Sequence, residues 1–433
     1  MSLNRDFLKL AIPNVLSNLA VPALSITDTA LMGHMPDPVM LGAVAISAQV
    51  FTCLYWSFGF LRMGTTGLTA QAHGKKSGEE LVFLRALLSA VILSSLILLF
   101  QVPLARLAFS ILDLDSDLLH HAKTYFDIRI FAAPATLMLY VFHGWFLGMQ
   151  NSWFPLLLAY LGNIINICVS IYLVRYKNMD VAGVAWGTLI AQYMTLLLSI
   201  ILARKYFKSW PKIQWEEVFR WQELKVFLSL NRDLFIRTGF LLAVVSSFTF
   251  ISERFGSLTL GANAILLSLA TCLAYMVDGY AFAAESLCGK LFGQKNVEGL
   301  KKLLSLSFNW SIISGLTFLL IFYLFDEQIL SVFTSQKDVI MEAKKYYPWL
   351  LLACVLNPIA FIIDGIFIGL AKAAIMRRVM IGCALFVYLP SLYIFWSFDN
   401  HGLWLSMSLF MLMRSLYMSY ELKKMKLTSE VNR

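Results

Sequence analysis

Long apolar runs alternate with short polar segments along the whole chain. A helix that crosses a bilayer needs roughly 20 mainly apolar residues, each adding about 1.5 Å of length. Twelve runs reach this length, so the pattern predicts an all-α integral membrane protein with twelve transmembrane helices. The predicted spans are Phe7–Gly33, Val44–Ala72, Leu81–Phe109, Thr124–Gly148, Phe154–Val174, Gly183–Ala203, Phe227–Ile251, Ala262–Leu291, Leu300–Phe325, Tyr346–Leu370, Met376–Phe398 and Leu403–Leu422.

Composition and charge agree with a membrane environment. Of the 433 residues, 59% are hydrophobic and 14% are charged, whereas soluble domains carry about 25% charged residues. Basic residues concentrate in alternate loops, and the positive-inside rule then places both termini and the central segment in the cytoplasm. We attribute the net charge of +9 to this pattern and to lipid headgroups, not to nucleic acid. The expected location is the plasma (bacterial inner) membrane.

The two halves of the chain resemble each other. Three pairs of segments match in the same order, namely SLNRDFL from Ser2 and SLNRDLF from Ser229, LGAVAI from Leu41 and LGANAI from Leu260, and HGWFLG from His143 and DGIFIG from Asp364. Each half has six predicted spans, so both enter the membrane from the same side as parallel repeats. We expect an N-terminal lobe over residues 1–204, a cytoplasmic linker over 205–225 and a C-terminal lobe over 226–433. Parallel repeats of this kind occur in secondary transporters.

The linker between the lobes is basic and rich in tryptophan. Trp210, Trp215 and Trp221 stand among lysine and arginine residues. Such a segment is typical of a helix that lies on the surface of the cytoplasmic leaflet. Membrane lipid is therefore an expected partner.

Asp28 is the clear carboxylate within the spans of the first half. An ionisable group in hydrocarbon costs at least about 2.5 kcal/mol on insertion scales, which makes it a functional candidate. Pro22 precedes it and favours a kink in the first helix. Burial favours the neutral form of a carboxyl group, so Asp28 is a candidate for loading and releasing a proton. The alternative is an ion pair between Asp28 and Arg62 or Arg129, which also lie within spans.

Further polar residues lie within the spans and form two candidate sites. A polar pocket in the first lobe is predicted from residues that share helix faces, namely Asn14, Asn18, Ser25, Asn163, Asn166, Ser170, Thr188 and Gln192. An acidic site in the second lobe is predicted from Asp278, Glu285 and Asp364. The alternatives are interhelical hydrogen bonds for the first set and ion pairs with Arg237 or Arg414 for the second.

Several other functions lack sequence support. The six cysteines lie in apolar runs, and the chain has no CxxC, HExxH, Walker A or GxGxxG pattern. We therefore expect no enzyme activity, no cofactor and no ATP hydrolysis within this chain. A channel stays an alternative, but a fused pair of six-helix lobes favours alternating access.

The chain resembles the multidrug and toxic compound extrusion (MATE) transporters in their bacterial DinF branch. The resemblance covers nearly the whole chain and depends on the combination of VPALSITDTALMGH, FLRMGTTGLTAQAHG, DIRIFAAP, GNIINI, LNRDLFIR, AYMVDGYAFAAE and DGIFIGLAKA. It implies two six-helix lobes around a central cleft, and antiport of H⁺ or Na⁺ against small organic, often cationic, compounds. It assigns ion coupling to Asp28 and matches Asn166 and Thr188 to the same site.

One departure from the family pattern affects the coupling ion. DinF-like proteins usually carry an aspartate where this chain has Ser170. A single carboxylate at that site favours protonation of Asp28, and hence H⁺, over a charge-dense Na⁺ site. In the second lobe, Asp364 is the candidate for a Na⁺ site. We expect the protein to be a monomer. The alternative function is that of a lipid-linked sugar flippase of related architecture, because such flippases tend to line their cavities with arginine.

Overall fold

The computed structural model describes residues 3–33, 38–110, 115–206 and 215–425, and it describes only the backbone of residues 21–33 and 38. Every regular element in these ranges is helical. The first half contains α1 (Leu3–Gly33), α2 (Pro38–Ser57), α3 (Phe60–Lys75), α4 (Glu79–Leu99), α5 (Gln101–Ser110), α6 (Ser116–Arg129), α7 (Ala133–Gly148), α8 (Trp153–Ile171) and α9 (Asp180–Ala203). The linker and second half contain α10 (Trp215–Val218), α11 (Trp221–Glu253), α12 (Ser257–Gly293), α13 (Val297–Leu324), α14 (Asp326–Phe333), α15 (Lys337–Gly369), α16 (Ala373–Cys383), α17 (Leu389–Ile394) and α18 (Asp399–Lys424).

The helices confirm a multi-pass membrane protein. Ten helical segments among the described residues are long and apolar enough to cross a bilayer, and they coincide with the second to eleventh predicted spans. The first and last predicted spans coincide with α1 and α18, which have 31 and 26 residues. At about 1.5 Å per residue, both exceed the roughly 30 Å of a hydrocarbon core. The count of twelve spans stays a prediction.

Three predicted spans in the first half are each divided between two helices. The second span bends at Gly59 between α2 and α3, and the third breaks at Phe100 between α4 and α5. The fourth changes from α6 to α7 through a short 3-10 turn that leads to Pro134. Glycine lacks a Cβ and proline lacks an amide proton, so both weaken a continuous helical ladder. Hydropathy alone does not show these breaks, because each lies within a run that is apolar on average.

The chain divides into two compact units. The N-terminal unit comprises Leu16–Thr69 and Lys76–Phe227, and the C-terminal unit comprises Met1–Val15, Ala70–Lys75 and Leu228–Arg433. Two helices therefore belong to both units, because α1 changes unit after Val15 and α3 changes unit after Thr69. The division at Phe227 lies close to the predicted start of the second lobe.

Each unit has its own apolar core. In the N-terminal unit, the rings of Phe51 and Phe126 stack at 5.1 Å, and Trp145 packs 4.8 Å from Phe83. In the C-terminal unit, a core cluster forms around Phe248, Leu266, Leu273, Leu350 and Trp404. Because lipid is as apolar as these side chains, close packing holds the helices together more than exclusion of water does.

The predicted repeat appears in the same helix crossing of both units. In the N-terminal unit, Gly144 and Gly148 of α7 lie against α3, and a Cβ added at Gly144 would lie 2.4 Å from the carbonyl oxygen of Arg62. In the C-terminal unit, Gly365 and Gly369 of α15 lie against α12, with the same 2.4 Å separation from the oxygen of Ala281. Each pair forms a GxxxG motif, which permits backbones to approach closely.

Candidate functional site

The predicted coupling residue lies on α1, which is one helix from Leu3 to Gly33 and includes Pro22. The side chains of Asp28 and Ser25 lie outside the described residues. Their roles therefore stay predictions. The described side chains of the candidate site lie on the helices that follow α1.

Three of the predicted pocket residues meet where α8 packs on α9. The Asn166 side chain donates a hydrogen bond from Nδ2 to Oγ1 of Thr188 at 3.0 Å, and Thr188 donates to the carbonyl oxygen of Val184. Ser170 joins them one turn along α8, and a Cβ added at Gly187 would lie 2.1 Å from its Oγ. The three side chains are buried at 2% exposure or less. Gly187 thus allows α9 to approach and brings these polar groups together.

This polar cluster retains unused hydrogen-bonding atoms. Within the described part of the chain, Oδ1 of Asn166 and Oγ of Ser170 are buried and have no hydrogen-bond partner. A buried polar atom without a partner costs about 1–3 kcal/mol, so such atoms commonly bind water or a ligand. The geometry therefore supplies an acceptor and a hydroxyl group inside a membrane-spanning helix pair.

Asn163 forms a hydrogen bond between helices, and its place in the predicted pocket stays a prediction. Its Nδ2 donates to the carbonyl oxygen of Ala20 at 2.7 Å, and the hydroxyl of Tyr160 donates to the carbonyl oxygen of Leu16 at 3.4 Å. Both bonds hold α8 against α1. The observed bond of Asn163 is an interhelical hydrogen bond, which is the alternative considered for the polar residues of the first lobe.

The remaining pocket residues are distributed between the units. Asn14 is 2% exposed and belongs to the C-terminal unit, where its neighbour Val15 packs on Gly279 of α12. Asn18 and Gln192 belong to the N-terminal unit and are partly buried. The described contacts thus bring together Asn166, Ser170 and Thr188 but leave the rest of the predicted pocket as a prediction.

Arg62 and Arg129 both belong to the N-terminal unit, and Arg129 lies among aromatic side chains. Arg129 donates a hydrogen bond to the hydroxyl of Tyr125, and its guanidinium carbon lies 5.3 Å from the ring centre of Phe51. The backbone of Arg62 lies against α7 next to His143, because a Cβ added at Gly144 would lie 2.4 Å from the carbonyl oxygen of Arg62. Their predicted pairing with Asp28 falls on a side chain that the structure does not describe. Apart from the helical spacing, nothing in the sequence indicates that these aromatic residues lie beside an arginine.

The acidic site of the second half is organised by arginine. Oδ2 of Asp364 on α15 accepts hydrogen bonds from Arg237 of α11 and Arg414 of α18. All three residues are buried, at 6%, 5% and 0% exposure. Two guanidinium groups around one carboxylate give a positive local charge, which disfavours the Na⁺ site considered for Asp364. The geometry instead agrees with the ion pairs considered as its alternative.

The other two predicted acids lie apart from each other on α12. Glu285 is 1% exposed and Asp278 is partly buried. A separation of seven residues places them about 10 Å apart along the helix axis. Over the ranges that the structure describes, no three His, Cys, Asp or Glu side chains are grouped closely enough to hold a metal ion. The idea of three acids around one cavity therefore receives no support from the described side chains.

Asp233 is a buried acid that the sequence-based site did not include. Asp233 of α11 is 5% exposed and pairs with Arg232 at 3.0 Å and with Arg377 of α16 at 2.6 Å. It lies one turn before Arg237, so α11 presents an acid and a base to two different helices. The repeated LNRD segment marked this position, but the pairing residue is 144 positions away.

Solved transporter structures share this fold. An outward-facing multidrug resistance MATE family transporter of the MOP superfamily superposes with a TM-score of 0.87 over 99% of this chain and 97% of that chain, at 17% identity. A point mutant of the Vibrio cholerae MATE transporter VcmN gives a TM-score of 0.84 over 99% of both chains at 16% identity. These similarities confirm the two-lobed, all-helical membrane fold.

Two relatives found by sequence have higher sequence identity to this chain than these two solved structures have. The chain is 35% identical to DNA damage-inducible protein F of Escherichia coli over 415 residues, which cover 94% of this chain and 89% of that protein. It is 20% identical to the probable multidrug resistance protein NorM of Bacillus anthracis over 83% of this chain and 81% of that protein. The sequence model of the MatE family matches residues 13–173 and 239–394, one segment in each half. The chain therefore belongs to the MatE family of multidrug and toxic compound extrusion transporters, with DNA damage-inducible protein F among its relatives.

Proposed function

We propose that this protein is an ion-coupled antiporter that exports small organic, cationic or amphipathic compounds by rocker-switch alternating access. The observation that carries the proposal is the buried group formed by Asn166, Ser170 and Thr188 between α8 and α9. Polar side chains inside a membrane span mark substrate or ion pathways. Membership of the family supports the general activity, and the buried polar group supports the choice of these residues as its site.

We further propose H⁺ as the coupling ion. Ser170 carries no charge, so Asp28 is the one carboxylate that the sequence offers to this site. Sodium binding requires several oxygen ligands with negative charge nearby, whereas protonation requires one carboxyl group. Proton uptake by Asp28 neutralises a charge in the first helix, and the helix and its hydrogen bonds to Asn163 and Tyr160 then adjust.

The remaining expectations belong to the same proposal. Both termini lie in the cytoplasm, the protein works as a monomer in the plasma membrane, and transport needs no cofactor or enzymatic step. Residues 1–204 and 226–433 act as the two moving lobes, with 205–225 as the linker. Rocking of two repeats around a shared site is the general mechanism of such transporters.

Transport by the purified protein in liposomes tests the proposal. We expect efflux of a cationic dye under an imposed pH gradient, and little efflux under a Na⁺ gradient alone. Asp28→Asn should abolish gradient-driven efflux, while Asp127→Asn, which changes an exposed acid of α6, should leave it intact. Wild-type transport by Asp28→Asn would contradict the coupling role, and dye flow without any gradient would indicate a channel.

A lipid-linked sugar flippase is the second candidate. Arg62 and Arg129 inside the N-terminal unit favour it, because guanidinium groups bind phosphate well. Movement of a fluorescent polyprenyl pyrophosphate between leaflets of the same liposomes, without dye efflux, would support the flippase over the antiporter.

A further inference from the structure

The chain passes between its two compact units at four points. Two of these points lie within helices of the first half, because α1 changes unit after Val15 and α3 changes unit after Thr69. The other two are the end of α3 after Lys75 and the first two turns of α11, after Phe227, directly behind the linker. Movement of one unit against the other must bend α1 and α3 at these points or break the contacts that hold them.

The first segment of α1 is fixed to helices of the C-terminal unit. The side-chain oxygen of Asn4 accepts a hydrogen bond at 3.0 Å from the indole nitrogen of Trp310 on α13. The ring of Phe7, which is fully buried, stacks on Tyr280 of α12 at 6.4 Å, and the Tyr280 ring stacks on Trp310 at 6.3 Å. A polar contact and two ring contacts therefore hold this segment to α12 and α13.

The change of unit in α1 occurs between adjacent residues. Val15 packs against Gly279 of α12, because a Cβ added at this glycine would lie 2.6 Å from the amide nitrogen of Val15. The carbonyl oxygen of Leu16 instead accepts a hydrogen bond at 3.4 Å from the hydroxyl of Tyr160 on α8. The bond between α8 and the carbonyl oxygen of Ala20 follows one turn later. One helix is thus held by both units.

The change of unit in α3 is similarly abrupt. Thr69 lies against Gly148 of α7, because a Cβ added at this glycine would lie 2.5 Å from Cβ of Thr69. Two residues later, Gln71 donates from Nε2 to the carbonyl oxygen of Gly369 on α15 at 2.8 Å. The end of α3, Ala70–Lys75, therefore packs with the C-terminal unit, whereas the turns before it pack with α7.

Each of these helices has a residue that weakens its backbone just before the change of unit. Pro13 of α1 lies two residues before Val15 and has no amide hydrogen to donate to the carbonyl oxygen of Lys9. Gly67 of α3 lies two residues before Thr69 and has no side chain to restrict its backbone dihedral angles. Bending at Pro13 breaks one helical hydrogen bond fewer than bending elsewhere, and proline is a frequent cause of sharp bends in helices.

The second repeat differs at the equivalent positions. Phe240 of α11 stands at the place of Pro13, and Ser286 of α12 stands at the place of Gly67. The equivalences follow from equal spacing, since 11 positions separate Ser2 from Pro13 and Ser229 from Phe240, and 26 positions separate Leu41 from Gly67 and Leu260 from Ser286. Both residues of the second repeat lie within a stretch that belongs wholly to the C-terminal unit. The proline and the glycine thus coincide with the passage between units.

We propose that α1 and α3 are hinges that bend at residues 13–16 and 67–70, so that residues 1–15 and 70–75 move with the C-terminal unit. This movement rests on the alternating access proposed above, and in these two segments it changes the boundary of the first lobe. Separation of the segments from the C-terminal unit would break the hydrogen bonds of Asn4 and Gln71 and pull apart closely packed backbones. Bending confines the change to a few residues, as hinges in other proteins do.

Distances between spin labels test which unit the two segments follow. The labels would be attached to cysteines introduced at exposed positions of the full chain, after replacement of the six native cysteines by alanine. Two pairs lie within the C-terminal unit, namely Arg5 with Lys301 and Lys75 with Lys301. Two pairs join the units, namely Arg5 with Arg204 and Lys75 with Arg204. Pulsed electron paramagnetic resonance in liposomes would compare acidic and alkaline buffer, with and without a cationic dye.

We expect both distances to Lys301 to stay the same under all conditions, while both distances to Arg204 change. Distances to Lys301 that lengthen would overturn the hinges, because the segments would then separate from the C-terminal unit. Distances to Arg204 that stay constant under all conditions would also overturn them, because the segments would then follow the N-terminal unit.

A substitution in α1 tests the bend itself. Pro13→Ala restores the missing amide hydrogen, so the helix becomes stiffer and the rate of dye efflux should fall about threefold or more. The unfolding midpoint should equal or exceed that of the wild type. Pro358→Ala is the matched control, because it changes a buried proline inside α15, which lies within one unit, and it should retain the wild-type rate. Wild-type efflux by Pro13→Ala would reject the hinge in α1, and if this variant does not fold, the label distances decide.

The hinges and the antiport can fail separately. Constant distances to Lys301 and changing distances to Arg204, in a protein that does not move dye along a pH gradient, would support the hinges and reject the antiport. Gradient-driven efflux together with separation of Arg5 from Lys301 would support the antiport and reject the hinges.

Discussion

Gly74 and Gly293 lie in backbone contact within the C-terminal unit. A Cβ added at Gly293 would lie 2.1 Å from the carbonyl oxygen of Gln71 and 3.1 Å from Cα of Gly74. Gln71 also donates from Nε2 to the carbonyl oxygen of Gly369 at 2.8 Å. Gly74 follows the first residue of LGAVAI by 33 positions, and Gly293 follows the first residue of LGANAI by the same 33 positions. Matching helix ends from the two halves of the sequence therefore cross at this point.

Substitution of Gly293 by alanine should therefore destabilise the protein. The added methyl group forces α3 and α12 apart, and overpacking of this kind costs about 1–3 kcal/mol. Thermal unfolding in detergent would show a lower midpoint for Gly293→Ala and for Gly74→Ala. Gly239→Ala is the matched control, because a Cβ at Gly239 meets nothing within 4 Å. An unchanged midpoint for both contact glycines would contradict the crossing.

Loss of Asp364 should harm folding more than loss of one of its arginines. Asp364→Asn leaves two buried guanidinium groups facing each other, whereas Arg414→Met leaves the pair of Asp364 with Arg237. Removing one partner of a buried ion pair costs about 3–5 kcal/mol. Asp326→Asn, which removes an exposed partner of Lys344, should have little effect. The order of unfolding midpoints of the three variants checks this prediction.

Sodium should not stabilise the second half through Asp364. The two arginines occupy its Oδ2, and their positive charge repels a cation. Replacing KCl by NaCl at equal ionic strength should leave the unfolding midpoint unchanged. A rise in the midpoint that is lost in Asp364→Asn would restore the Na⁺ hypothesis for this residue.

Asn166 and Thr188 should act together in transport. Truncation of either residue removes the hydrogen-bond partner of the other. Asn166→Ala and Thr188→Val should therefore reduce efflux to a similar extent, and the double variant should reduce efflux little further than either single variant. Interhelical bonds of this type contribute about 0.6 kcal/mol on average. Thr195→Val is a suitable control on α9, because its hydroxyl donates within its own helix to Ala191. Fully additive losses in the double-mutant cycle would show that the two residues act separately.

Arg85 should anchor the linker to the N-terminal unit. Its guanidinium donates to the carbonyl oxygens of Val218 and Glu217 at 3.0 and 2.6 Å, and it pairs with Glu223 at 2.6 Å. Arg85→Gln should therefore free this segment and accelerate trypsin cleavage after Arg220, which is 61% exposed. The Arg175→Gln variant, which changes an exposed arginine elsewhere in the unit, should be cleaved by trypsin at the wild-type rate. Equal cleavage of Arg85→Gln and the wild type would exclude the anchor.

Sequence patterns did not predict the helical breaks or the hydrogen-bond partner of Asn163. Hydropathy locates the apolar segment from Val44 to Ala72, but the bend at Gly59 depends on how the neighbouring helices pack. Helical periodicity places Asn163 and Asn166 on one face of α8. Three-dimensional packing then separates their roles, because Asn163 bonds to α1 and Asn166 bonds to α9.

The sequence by itself determined the membrane class, the apolar spans, the repeat and the family, because each of these depends on local composition or on residues in fixed order. Tertiary structure alone decided which polar groups meet. Asp364 bonds to arginines that are 127 and 50 positions away, and Arg129 meets the ring of Phe51 on another helix. In hydrocarbon a polar group must find a partner through helix packing, and no local pattern specifies which helix will supply it.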